Sequence, residues 1–267
     1  MSIPPILLVG CGRMGSAMLA GWREQGLAAS VAVDPAPAAA GWGGADLTVV
    51  PDVAAVPDGF APSAVVFAVK PQNAAETLPL YRRLAGKAVF LSIMAGRTIG
   101  GIRALLGDAA AIVRAMPNTP AAVRQGVTVA CPGDAVSATQ RALCERLLQA
   151  IGVVAWVEDE GLLVPVTAVS GSGPAYVLLL AELMERAALE QGIPADLARL
   201  LARQTVSGSG ALLAASTEDA AALRIAVTSP GGTTERALAV LMAADAWPAA
   251  LSRAIAEATI RSRELAG

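Results

Sequence analysis

A chain of 267 residues with a formal net charge of −2 and no histidine makes one large domain or two modest ones. It offers no electrostatic footprint for nucleic acid, and it excludes every mechanism that needs an imidazole. Aromatic residues are 3 % of the chain, too few for base-stacking platforms, while 55 % are hydrophobic and the mean hydropathy is +0.56, which implies apolar surface covered between subunits.

The first half alternates short β-type runs with helical patterns. Ile6-Leu7-Leu8-Val9 reads as a buried strand, followed by Gly10-Cys11-Gly12-Arg13-Met14-Gly15 and a helix to about Gln25. Further strands are expected at 30–33, ending at Asp34, at 47–50, at 64–69, ending at Lys70-Pro71, at 88–92 and at 111–114. Two more, near 126–131 and 152–157, flank a helix at about 137–150. Continuous apolar strands separated by helices predict a parallel, doubly wound sheet. Residues 161–181 carry no formal charge and are long enough to span a bilayer. Pro165, Ser170, Gly171, Ser172, Gly173 and Pro174 interrupt this stretch, so it reads as a loop followed by a buried helix, and no membrane partner is expected. Helices are then expected at 174–192, 195–215, 233–244 and 247–264. An all-helical region this apolar can bury its faces against another copy.

Cys11, Cys131 and Cys144 are far apart and form neither a disulfide framework nor metal-ligand spacing, so no metal is expected. The simple setting is reduced and cytoplasmic. Met1–Pro5 leads directly into a strand, so no signal peptide is expected.

The Gly10-x-Gly12-x-x-Gly15 pattern follows a strand and opens a helix, and an acidic residue, Asp34, ends the next strand. That context meets the dinucleotide fingerprint: one glycine for the tight turn, one for close approach of the pyrophosphate, one for helix–strand packing. Asp34 stands where a carboxylate would hydrogen-bond a ribose 2′-hydroxyl. A 2′-phosphate about 5 Å away would be repelled by on the order of 3 kcal/mol per unit charge at an effective dielectric of about 20. No Lys or Arg occurs between Arg23 and Lys70, leaving Arg13 as the nearest phosphate partner. The cofactor is therefore NADH or NADPH, with Asp34 leaning towards NADH. Ala68, Val69, Lys70 and Pro71 end the fourth strand, where an open parallel sheet holds its ligand. The acidic turn Glu158-Asp159-Glu160-Gly161 marks the boundary, giving a Rossmann-type dinucleotide-binding domain over 1–160 and a helical dimerisation and substrate domain over 161–267.

In Val227-Thr228-Ser229-Pro230-Gly231-Gly232-Thr233-Thr234-Glu235-Arg236, a proline and two glycines make a sharp turn ahead of an apolar helical run. Free N–H groups and partial positive charge at a helix start suit a small carboxylate. With Gly10–Gly15, Ala68–Pro71, Met116-Pro117-Asn118-Thr119-Pro120 and Ser170-Gly171-Ser172-Gly173-Pro174-Ala175-Tyr176, this string resembles the motifs of pyrroline-5-carboxylate reductases, in the family's order and over nearly the whole chain. The resemblance implies an N-terminal Rossmann domain, a helical domain that interlocks as a homodimer, and dimers that assemble further, commonly into decamers. It implies reduction of 1-pyrroline-5-carboxylate, a small-molecule imine, to L-proline by NADPH or NADH, in a substrate site at the dimer interface. Carried over, that site comprises Ser229, Gly231, Gly232, Thr233 and Thr234, with Thr234 bonding the ring nitrogen and Asn118 orienting the carboxamide or a water. Three positions depart from the family pattern: Ala220 where a proline is common, Ile225 where an aspartate is, and Asp34 where clearly NADPH-preferring relatives have small polar or basic residues.

Reducing a cyclic imine fits a chain without histidine, because the free imine can bring its own proton from water. A hydroxyacid dehydrogenase with a helical second domain would want a lysine there, and residues 158–267 contain none. Another imine reductase remains open. The alternative of a different class is a non-catalytic dinucleotide sensor, against which the retained Thr233 and Thr234 argue.

Overall fold

The computed structural model describes residues 2–266. Eight strands form one sheet: β1 (Ile6–Val9), β2 (Ser30–Val33), β3 (Leu47–Val50), β4 (Ala64–Phe67), β5 (Val89–Ser92), β6 (Ala111–Met116), β7 (Gly126–Pro132) and β8 (Gly152–Trp156). Their order is β3-β2-β1-β4-β5-β6-β7-β8, the first six in the doubly wound dinucleotide-binding arrangement. The helices are α1 (Arg13–Glu24), α2 (Ala74–Thr77), α3 (Ile99–Leu106), α4 (Ala138–Gln149), α5 (Leu163–Val166), α6 (Gly173–Glu190), α7 (Ala195–Ala215), α8 (Ala220–Ala226), α9 (Thr233–Leu241) and α10 (Trp247–Ala266).

The sheet is buried on both faces because successive side chains alternate between them. Ile6, Leu8, Val66, Leu91 and Val113 pack with Met18, Trp22 and Leu147 on one side. Leu7, Val9, Val65, Phe67, Phe90 and Ile112 pack with Tyr81, Ile102 and Leu106 on the other. The Trp22 indole N–H donates to the Leu147 carbonyl at 2.9 Å, which satisfies the polar atom of a fully buried ring.

The sheet is mostly parallel, as expected, with one exception: β7 runs antiparallel to β6, and β8 is parallel to β7. Residues 117–125 link β6 to β7, and a parallel crossover needs about a dozen residues or more. The crossover that does exist is α4, opened by a capping box in which Ser137 Oγ accepts from the Gln140 N–H at 3.2 Å and Gln140 Oε1 accepts from the Ser137 N–H at 2.9 Å.

By contacts the chain forms two compact units, residues 1–171 with 258–267, and residues 172–257. Leu163 and Ala168 are buried, and Leu163 packs in the first unit's core. The stretch after 162 is not a loop. It forms α5, a π-helical turn over Thr167–Gly171, and α6. Thr167 Oγ1 donates to the Leu163 carbonyl at 2.7 Å and Ser170 Oγ to the Val166 carbonyl at 3.0 Å, so Ser170, one of the residues that suggested a break, satisfies its hydroxyl against the preceding turn. Residues 160–190 make a helical stretch long and apolar enough to cross a membrane by length and composition.

The second unit is α6 to α9 with most of α10, and α6 packs on α7. Within the single chain α6 has no buried residue, contrary to the buried helix expected. Leu178, Leu200 and Val240 are 69 %, 60 % and 71 % exposed, an apolar excess of the kind that marks an interface.

Candidate active site

The first unit gathers the dinucleotide residues at the C-terminal ends of β1, β2 and β4. Gly10 has φ +99°, and a Cβ on it would lie 2.8 Å from the Ala68 carbonyl oxygen. Only glycine meets both demands. A Cβ on Gly15 would lie 2.1 Å from the Gly10 oxygen and 3.3 Å from the Ala68 side chain, whereas one on Gly12 would meet nothing within 4 Å. Two glycines therefore serve the protein's own packing, and the third leaves space above the loop. Gly12 is the N-cap of α1 and supplies no side-chain cap, so the first N–H groups of the helix, from Arg13, Met14 and Gly15, have no intrahelical acceptor. This is a cradle for a diphosphate: an open floor, donors and the positive end of a helix.

Asp34 does more than end β2. Its Oδ2 accepts from the Cys11 N–H at 2.6 Å and its Oδ1 from the Ala36 N–H at 2.8 Å. The carboxylate thus anchors the glycine loop from the end of β2. Burial first, and then the Asp34 charge, push the Cys11 thiol up to about 11, so Cys11 stays neutral and its contribution to the loop is its backbone. Arg23 cannot supply a phosphate partner, because it forks onto Asp46 at 2.8 and 2.9 Å and onto the Trp42 carbonyl at 2.6 Å. Arg13 and Lys70 are exposed.

Sequence reasoning missed Arg97. Its Nε donates to the Pro71 carbonyl at 3.0 Å, which ties the segment after β5 to the Lys70-Pro71 loop after β4. The signal was available: both segments follow adjacent strands of a parallel sheet.

Asn118 is 9 % exposed. Its Oδ1 accepts from the Val127 N–H at 3.0 Å and its Nδ2 donates to the Ser170 carbonyl at 3.1 Å. It joins the end of β6 to the start of β7 and to the π-helical turn. One donor and one lone pair of its amide are left for a ligand. A Cβ on Gly171 would lie 2.9 Å from the Met116 Cε, so the Met116–Pro120 and Ser170–Gly171 strings meet.

In the second unit Gly231 has φ +72° and Gly232 is the N-cap of α9, again without a side-chain cap. The N–H groups of both glycines are bonded within the turn: Gly231 donates to Glu235 Oε2 at 2.8 Å, and Gly232 to the Ser229 carbonyl at 3.0 Å. The first helical bond runs from the Arg236 N–H to the Gly232 carbonyl at 3.3 Å. That leaves the N–H groups of Thr233 and Thr234 without an intrahelical acceptor, beside two hydroxyls. Ser229 and Thr233 are exposed, and Thr234 is half-buried. Ile225, on α8, is 65 % exposed.

Among known proteins, the chain is 37 % identical over 273 aligned residues to the pyrroline-5-carboxylate reductase of Pseudomonas aeruginosa, covering 100 % of this chain and 98 % of the relative. The chain belongs to the pyrroline-5-carboxylate reductase family. The reductase of Haemophilus influenzae is 36 % identical over 239 residues, 88 % of each chain. The solved pyrroline-5-carboxylate reductase of Coxiella burnetii superposes with a TM-score of 0.91 at 30 % identity, covering 100 % of both chains. Residues 160–265 match the family model described as pyrroline-5-carboxylate reductase dimerisation, and residues 5–96 match the one described as NADP oxidoreductase, coenzyme F420-dependent. The apolar faces of α6, α7 and α9 therefore lie in a region whose family role is subunit pairing. The chain is an oxidoreductase with a nicotinamide-dinucleotide fold and an oligomer-forming second half, as its motifs imply.

Proposed function

We propose that this protein reduces 1-pyrroline-5-carboxylate to L-proline with a reduced nicotinamide dinucleotide, as a cytoplasmic homodimer whose dinucleotide-binding domain is residues 1–160 and whose dimerisation and substrate domain is residues 161–267. The observation that carries the reading is the uncapped start of α9 at Thr233 and Thr234, in a chain related end to end to reductases of that name.

The bound nicotinamide supplies the hydride. The residues present fit it, since the loop over Gly12 is open where a diphosphate must approach. The Arg13, Met14 and Gly15 N–H groups hold the diphosphate, Asp34 takes the ribose 2′-hydroxyl, and Ala68–Pro71 with Lys70 border the nicotinamide half. The Thr233 and Thr234 N–H groups hold the substrate carboxylate. The protonated ring nitrogen donates to Thr234 Oγ1, which fixes the C=N carbon for attack and favours the charged, more electrophilic form. Water supplies the proton, which suits a chain with no histidine. Asp34 favours NADH over NADPH, supported by the absence of any Lys or Arg between Arg23 and Lys70 and by the engagement of Arg23 with Asp46.

Thr234→Ala tests the assignment. It removes one hydrogen bond to a charged group, roughly 1.5–3 kcal/mol, so turnover falls about 10- to 100-fold while dinucleotide affinity stays within about twofold. Equal losses in both would contradict the role.

A further inference from the structure

We propose that Glu235 is a positioning residue for the substrate turn. Its carboxylate holds Gly231 in the left-handed conformation that launches α9, and its charge weakens that turn's grip on an anionic substrate. This rests on the reading of Thr233 and Thr234 as the carboxylate site.

Three observations carry it. Gly231 sits at φ +72°, and a Cβ on it would meet nothing within 4 Å, so packing of neighbouring groups does not impose that conformation. What holds the Gly231 amide is the 2.8 Å bond to Glu235 Oε2, from the third residue of α9 back to the residue before the N-cap. A capping box makes the same reach, one residue further along. The N-cap position itself has no side-chain bond, so Glu235 is the one side chain seen bonding this turn among the described residues. Finally, Glu235 forms no salt bridge among the described residues, so its charge is not cancelled by a cation.

The geometry sets the second effect. Two residues of chain span at most roughly 7 Å, so the Gly231 N–H lies within that distance of the Thr233 N–H. A substrate carboxylate on Thr233 and Thr234 therefore stands within roughly 13 Å of the Glu235 carboxylate, once a hydrogen bond of about 3 Å is added at each end, inside the screening length of about 30 Å at 0.01 M salt. The side chain that orders the donors also repels the ligand they receive, and it withholds the Gly231 N–H.

Gln at 235 separates the two effects, because its amide oxygen accepts from Gly231 without the charge, whereas Ala removes both. The test is steady-state kinetics of wild type, Glu235→Gln and Glu235→Ala with the imino acid and either dinucleotide, at low salt and in about 1 M salt, with thermal unfolding to confirm folding. In Glu235→Gln the KM for the imino acid falls about 1.7- to 3-fold at low salt, the factor expected for two unit charges about 7–13 Å apart in an aqueous dielectric. The difference shrinks in about 1 M salt, where the screening length is about 3 Å. Its kcat and dinucleotide KM stay within about twofold. Glu235→Ala loses about fivefold or more in kcat with dinucleotide KM unchanged, as the turn is released. An unchanged or raised KM in Glu235→Gln, a KM difference indifferent to salt, or identical kcat in the two variants would overturn the proposal. Wild type that binds dinucleotide but does not turn over the imino acid would overturn the reading of the site itself, before any variant is compared.

Discussion

Substituting Gly12 and Gly15 by alanine separates binding from folding in one loop. At Gly12 the backbone has φ −65° and ψ −170°, open to any L-residue, and the new Cβ meets nothing within 4 Å. Alanine is a poorer N-cap than glycine, by up to about 1 kcal/mol. It also lowers the entropy of the unfolded chain, worth about 0.4–1 kcal/mol in the other direction. The two nearly cancel, so Gly12→Ala unfolds within about 2 °C of wild type, given roughly 2–4 °C per kcal/mol for a chain of this size. The methyl nevertheless fills the space a diphosphate must enter, and dinucleotide affinity falls at least about tenfold, ~1.4 kcal/mol. At Gly15 the Cβ would lie 2.1 Å from the Gly10 oxygen, so α1 must move by roughly 1 Å from the loop. Overpacking of that kind costs roughly 1–3 kcal/mol or more, and the donors move with the helix, so Gly15→Ala loses both stability and binding. Differential scanning fluorimetry and NADH fluorescence titration read the two quantities separately. A Gly12→Ala protein that binds dinucleotide like wild type would refute the reasoning, because the open space over Gly12 would then not be where the ligand sits.

Asp34→Ser removes the charge facing the 2′ position and shortens the acceptor for Cys11. The ratio of kcat/KM for NADPH to that for NADH rises about tenfold or more, with some loss in both from the loosened loop; an unchanged ratio would make Asp34 only an anchor. Leu178→Glu places a charge on an apolar position that is 69 % exposed in the single chain, and sedimentation velocity shows a shift from dimer towards monomer. A dimer of unchanged affinity would place the interface elsewhere. Burial raises the thiols of Cys11 and Cys144 to about 11 and about 12 and the Tyr81 phenol to about 12. For these groups the neutral form is favoured in the folded state. Their contribution to stability is fully present below the unfolded values near 9 and 10 and is lost as pH climbs through about 11 to 12. Urea unfolding at pH 8 and pH 11 shows the loss, and iodoacetamide at pH 8 labels native Cys11 slowly despite its partial exposure; rapid labelling would contradict the shift.

The sheet was legible because its strands are continuous apolar runs. Ile6–Val9, Ala64–Phe67 and Val89–Ser92 are buried at every position, a pattern that only a sheet covered on both faces produces. The antiparallel β7 was also within reach, through the length of the link from β6, but its composition alone resembles the other strands. The π-helical turn was not legible. Gly and Ser at 170–173 ordinarily end helices, yet the backbone stays helical through them, with the Ser170 hydroxyl satisfied by the carbonyl four residues back. The bareness of α6 follows from reading one chain of a family that pairs, since periodicity reports an apolar face without saying what covers it.

At the site, residue types were legible and bond partners were not. Spacing identified Gly10, Gly12 and Gly15 and placed Asp34 at the end of β2, but no pattern says that Asp34 holds the Cys11 amide or that Asn118 is bonded to Val127 and Ser170. The same holds in the Gly-Gly-Thr-Thr turn, where no pattern says that the glycine amides bond to Glu235 and to the Ser229 carbonyl.

The central claim is tested most directly by initial rates of purified protein with 1-pyrroline-5-carboxylate and NADH or NADPH, measured separately, with proline quantified as product. The account predicts stoichiometric proline formation with both, and a higher kcat/KM for NADH. Dinucleotide binding without proline formation from either cofactor would contradict it.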